Sequence, residues 1–186
     1  MEIENIKARL EKLVSDFLFY ETLDILFRAV GNEIRHETVT KLVEEKEKEL
    51  ARFGVSKDSV ISILEDCKLE DIKNPKVREE FNVETPTTSR GWTDLFIPSK
   101  PKKVTYVKLK FCPLNYVEIP KSEVEEFKAL MASMAEQLTV RLKEDREFQM
   151  LVKCRKQIID KIHETVDGVR NVIAEMAKTK SKEVRE

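Results

Sequence analysis

Two short patterns, Glu33-x-x-His36 and Asp160-x-x-His163, come nearest to chemistry in this chain of 186 residues. A carboxylate and a histidine three apart share a helix face, and two such pairs facing each other in a bundle can ligate a di-iron or di-manganese centre. In the heptad register set out below, however, Asp160 and His163 fall beside the apolar seam, and no further paired carboxylates are directed to a shared interior. Surface histidines are the simpler reading, and neither a metal nor a cofactor is expected. Nucleophilic catalysis needs a base beside a serine or cysteine, and only two histidines are present. No GxSxG, P-loop or GxGxxG occurs, and four glycines leave little material for a phosphate-cradling loop. No catalytic residue is assigned, and the chain reads as a binding protein.

Composition narrows the field further. With 41% hydrophobic and 37% charged residues, the chain is too apolar for a disordered protein and too charged for a membrane protein. Its early run Phe17-Leu18-Phe19-Tyr20 is far shorter than the ~20 residues of a membrane span. The opening MEIENIKARLEK mixes both charges, so no export signal is read there, and a cytoplasmic location is expected. Cys67, Cys112 and Cys154 are odd in number and far apart, which points to reduced thiols and away from a disulfide framework or a CxxC zinc pair. Thirty-four basic residues balance thirty-five acidic ones, so attraction to nucleic acid requires a local patch.

The elements that position these residues follow from periodicity. Ile3, Ile6, Leu10, Leu13, Val14 and Phe17 recur at helical spacing and predict a long first helix, broken at Gly31-Asn32, with a second helical stretch over about 33–53. Gly54 suits a left-handed helix end and Ser56 caps a short helix over about 57–68. Asn74-Pro75, Thr85-Pro86 and Arg90-Gly91 punctuate 69–91, which reads as mostly connection. The period then changes to two: Thr105, Val107, Leu109 and Phe111 alternate with Tyr106, Lys108 and Lys110, predicting a strand. Trp92 to Ile97 can supply its hairpin partner around a tip at 98–103, and Tyr116 to Ile119 a short third strand. Ser122-x-x-Glu125 is a capping box. Behind it one heptad register runs Val124, Phe127, Met131, Met134, Leu138, Arg141, Asp145, Phe148, and then Val152, Arg155, Ile159, Ile162, Val166, Val169, Ile173, Met176. The charges at Arg141 and Asp145 allow either a hairpin or one continuous rod. The fold class is therefore mainly α with a small β-hairpin, divided into an N-terminal region 1–119 and a helical or coiled-coil arm 120–186.

Leu26-Phe27-Arg28-Ala29-Val30-Gly31-Asn32-Glu33-Ile34-Arg35 resembles the opening helix of ArsR-like winged helix-turn-helix regulators. The stretch Glu49 to Leu64 is similar to their helix-turn-helix core, and the hairpin falls where their wing belongs. The resemblance covers roughly residues 24–118 and implies that Gly54 forms the turn, Ser56 caps the recognition helix, and Val60 and Ile63 anchor it. His36 and Thr38 stand where that pattern has apolar residues, and no Cys-x-Cys pair accompanies Cys67, so no metal-sensing role carries over.

What the resemblance implies is a winged-helix-like DNA-binding transcription regulator acting as a dimer. Ser56, Lys57, Ser59, Ser62, Arg90, Lys100, Lys102 and Lys103 would contact double-stranded DNA. Val152, Ile159, Ile162, Val166, Val169, Ile173 and Met176 would form a homodimer through the C-terminal helices. Residues 99–110 carry five lysines and no acid, whereas 56–71 carry two bases and five acids, which favours the hairpin over the helix as the contact. Two further readings fit the same residues: a helical protein–protein interaction module without DNA binding, and a helical-bundle metal enzyme. The second-half heptads could equally pack on the long first helix of the same chain.

Overall fold

The computed structural model describes residues 2–85 and 102–183, in the order α1 (Glu2–Glu45), α2 (Glu47–Ala51), α3 (Lys57–Asp66), α4 (Leu69–Lys73), β1 (Lys76–Thr85), β2 (Lys102–Lys110), β3 (Tyr116–Pro120), α5 (Val124–Glu144) and α6 (Arg146–Glu183). The fold is mainly helical, with one small antiparallel sheet in the order β1-β2-β3. None of the described helices is long and apolar enough to cross a membrane.

Gly31-Asn32 does not break the first helix: α1 runs through both to Glu45. A glycine inside a helix costs only about 1 kcal/mol against alanine, which a helix of 44 residues absorbs. The stretch 69–91 is not mainly connection either, because it forms α4 and β1. The partner of β2 is thus β1, with Phe81 opposite Tyr106 and Val83 opposite Val104, and a register irregularity between Val77 and Glu79. The expected partner at Trp92 to Ile97, together with Arg90 and Lys100, lies outside the described residues. The third strand stands where the sequence placed it, and β3 pairs with β2 through Leu109–Val117 and Val107–Ile119.

The chain divides into two compact units, 35–142 and 1–34 with 143–186, not at 119/120. The physical reason is α5. Its apolar face (Val124, Phe127, Met131, Met134, Leu138) belongs to the core formed by Val39, Leu42, Val60, Ile63, Val107, Leu109 and Ile119. Phe127 alone makes edge-to-face contacts with Phe53 and Phe111 at ring-centroid distances of 5.3 and 6.3 Å. Burying a ring of that size is worth roughly 1.5–3 kcal/mol, so the first half of the heptad register goes to this core. At its end Arg141 forms a two-pronged ion pair with Glu45 at 3.0 and 2.6 Å. The break between α5 and α6 falls at Asp145, whose carboxylate accepts the Phe148 amide at 2.8 Å and caps α6.

In the other unit the first part of α1 and α6 form an antiparallel pair: Arg9 bonds Glu175, Leu13 occupies the space a Cβ at Gly168 would need, and Asp24 bonds Arg155. On α1 Ile6, Leu10, Leu13, Phe17, Tyr20, Asp24 and Phe27 turn away from solvent at alternating spacings of four and three, with Asp16, Glu21 and Leu23 half-buried beside them. On α6 the matching set is Leu151, Arg155, Ile158, Ile162, Thr165, Val169, Val172 and Met176, with Cys154, Ile159, Val166 and Gly168 half-buried beside it. The expected seam is therefore widened toward Ile158, Thr165 and Val172, its most buried members: Arg155, Ile159, Ile162, Val166, Val169 and Met176 are half-buried, whereas Val152 and Ile173 are exposed. Thr165 tolerates burial because its hydroxyl donates to the Lys161 carbonyl at 2.7 Å. The one carboxylate in the seam, Asp24, is only 3% exposed and accepts from both Arg155 and Arg28. The Arg155 hydrogen bond, reinforced by Arg28 and opposed by burial, holds its pKa below the usual aspartate value.

Candidate nucleic-acid interface

Between α2 and α3 the backbone turns on the Phe53 and Gly54 amides, which donate to the Leu50 and Ala51 carbonyls. Gly54 has φ +67°, the left-handed region that glycine enters without steric cost. Two residues on, the Ser56 hydroxyl accepts the Ser59 amide at 3.2 Å and caps α3. Val60, Ile63 and Leu64 then bury one face of α3. Arg35 donates to the Leu64 carbonyl at 2.8 Å, tying α1 to α3 within this unit.

The far end of α3 carries a feature opposite to expectation. Cys67 and Cys112 are joined in a disulfide across 45 residues of sequence, leaving Cys154 as the free thiol. Sequence spacing was no obstacle, because the end of α3 and the turn after β2 meet with the two Cα atoms 5.6 Å apart. Asn115 fastens the same corner, donating to the Ser62 carbonyl at 3.3 Å.

The expected contact residues are distributed unevenly around this frame. Ser56 is engaged in the cap, and its hydroxyl also bonds the Ser59 hydroxyl at 2.7 Å. Lys57 pairs with Glu47 at 2.7 Å. Ser62 is half-buried beside Asn115, in a cleft it shares with Ser59, Leu114 and Tyr116. Ile61 packs against the core. On β2, Lys103 lies 3.8 Å from Glu84, and Lys102 opens the strand opposite Thr85. The sheet thus sets acids beside the lysine run, Glu84 on β1 and, on β3, Glu118 at 3.6 Å from Lys108, while Glu80 of β1 binds Lys121 after β3 at 2.8 Å. Of the histidines, His36 Nδ1 is 2.6 Å from Glu65 Oε1 on α3. Among the described residues no three of His, Cys, Asp and Glu converge on a common point.

One surface escaped sequence reasoning. One face of the sheet is sealed by Val107, Leu109, Phe111, Val117 and Ile119; the other presents Phe81, Tyr106 and Tyr116. The Phe81 and Tyr106 rings stack across the strands at 6.0 Å with 20° between planes. Together with Ser56, Ser59 and Tyr116 they line a groove of about 490 Å³ against the α2–α3 turn. Lys108 Nζ sits 4.1 Å above the centre of the Tyr116 ring. The alternation of Phe81, Val83 and Thr85 was the available signal, masked by the charged run Arg78-Glu79-Glu80 before it.

No protein-family model, curated protein or solved structure matches the chain.

Proposed function

We propose that the chain is a dimeric, winged-helix-like DNA-binding regulator in which the β1–β2 hairpin, more than α3, meets the duplex. The observation that carries the reading is the local geometry at residues 50–66, a left-handed Gly54 turn leading to a Ser56-capped helix anchored by Val60 and Ile63, followed by an antiparallel hairpin in winged-helix order. The resemblance to ArsR-like regulators agrees with that order. Because Ser59 and Ser62 lie against their neighbours, α3 offers few free groups to base edges, and in this reading phosphate contact falls to Arg90, Lys100, Lys102 and Lys103, with Lys103 exchanging its 3.8 Å pairing to Glu84 for a phosphate.

Dimerisation rests on the apolar residues that the α1–α6 pair leaves uncovered. Val152 and Ile173 are 49% and 55% exposed, and between them Ile159 and Val166 are half-buried at the same heptad position. Val14, Leu18 and Ile25 are exposed one position past the seam of α1. In an antiparallel pair like flanks share a side, so these residues form one apolar face. A second copy presenting the same face would cover it as a four-helix bundle with two-fold symmetry. Ile162, Val169 and Met176 are spent within the chain.

A protein-interaction module is the second reading, favoured by the β1 and β3 acids that pair with hairpin lysines. Polarisation titration of a labelled mixed-sequence duplex separates the two. The DNA reading requires binding at low salt that is lost when Lys100, Lys102 and Lys103 are changed to glutamate; absence of binding at low salt leaves the interaction module.

A further inference from the structure

The open face of the sheet combines features that a duplex-binding wing does not require. Its three aromatic rings lie on neighbouring strands: Phe81 and Tyr106 are half-buried and stacked on each other, and Tyr116, with Lys108 over one side of its ring, is 53% exposed. Lys76 and Lys110 stand directly opposite each other at the far end of β1 and β2. Like charges in that position destabilise a sheet, and among the described residues neither lysine has an ion-pair partner, although Asp71 borders their cleft. By register this face carries Lys76, Lys108 and Lys110 with Glu79 and Glu118; Lys108 pairs with Glu118, which leaves Lys76 and Lys110 as its cations without an ion pair among the described residues.

We infer that this face binds single-stranded nucleic acid, stacking unpaired bases on Phe81, Tyr106 and Tyr116 while Lys76 and Lys110 take a backbone phosphate. Every base has a π-face, so a row of rings beside cations suits a single strand without demanding a sequence. The Lys76–Lys110 juxtaposition then has a physical purpose, since a phosphate between the two ammonium groups removes their repulsion. An apolar peptide would want an unbroken greasy surface; the alternation of rings and cations fits a polyanion better.

The inference rests on the nucleic-acid reading above and deepens it by asking for unpaired bases. The test measures anisotropy of labelled oligo-dT and oligo-rU of about 15 nucleotides, beside a mixed-sequence duplex of equal length. Wild type is compared with Tyr106→Ala, Tyr116→Ala and the double variant Lys76→Glu, Lys110→Glu. Circular dichroism checks that each is folded, and the exposed Tyr116 and lysine variants remain informative if Tyr106→Ala is not. The expected result is single-strand binding weakened about 5- to 150-fold by each aromatic change and also by the lysine pair. Single strands bound equally by all variants, or not bound while the duplex is, would overturn the inference and leave the duplex reading standing. Single-strand binding lost in the variants without duplex binding would uphold the inference and remove the duplex reading. If neither ligand binds, both fall.

Discussion

Reducing the Cys67–Cys112 disulfide tests how the sheet-bearing unit is held together. The bond closes a loop of 45 residues between the end of α3 and the turn after β2. In the chain-entropy account, a loop of that length removes about 13 cal/mol/K from the unfolded chain, or about 4 kcal/mol at 25 °C. The assay is equilibrium urea unfolding followed by far-ultraviolet circular dichroism, with and without dithiothreitol. At an m-value of about 2–3 kcal/mol/M, reduction lowers the midpoint of this unit's transition by about 1.3–2 M. Cys67→Ala with Cys112→Ala should reproduce the reduced protein and lose its response to dithiothreitol. Thiol titration of the denatured, unreduced chain should count one free thiol, Cys154. Three free thiols, or coincident unfolding curves with and without reductant, would refute the reasoning.

Three other outcomes follow from single positions. Gly54→Ala should cost about 1–2 kcal/mol in urea unfolding, purely from the left-handed backbone, since an added Cβ would meet nothing within 4 Å; an unchanged midpoint would mean that the turn relaxes. Because the folded pKa of Asp24 is depressed, its contribution is fully present above the ordinary aspartate value of about 3.9 and is lost as pH falls through the lower folded value. Asp24→Asn should cost about 1–3 kcal/mol at neutral pH and flatten that acid-side loss of stability, and a variant with the wild-type acid profile would contradict this. Val152→Lys with Ile173→Lys, both at exposed positions, should leave helicity unchanged while light scattering shows the monomer mass of 21.7 kDa, whereas wild type gives twice that; a monomeric wild type would sink the dimer.

The turn and cap around α3 were legible because Gly54 and Ser56 act through their own backbone and hydroxyl, which need no distant partner. The β2 alternation and the α5 seam were legible for a related reason: each has one continuous buried face. The second half of the arm was harder. Leu151–Val152, Ile158–Ile159 and Val172–Ile173 are adjacent apolar pairs, so a 3.5-residue period fits either member, and both registers share Arg155, the residue that meets Asp24 across the helices. At Gly31 the same locality misled, because a glycine stops a helix only where a cap or a left-handed turn takes over. β1 was hidden by Arg78-Glu79-Glu80, whose side chains remain in solvent. The disulfide and the aromatic face are products of tertiary meeting, joining residues 45 and 25 positions apart, and no local pattern encodes either.

The salt dependence of duplex binding tests the central proposal most directly. If lysines of the hairpin displace counterions from DNA, log Kobs for a mixed-sequence duplex falls linearly with log salt at about −0.9 per phosphate contact. Three or more contacts give a slope of about −3 or steeper, and Lys100, Lys102 and Lys103→Glu should flatten it. A slope near zero, or no binding at the lowest salt, would contradict the proposal.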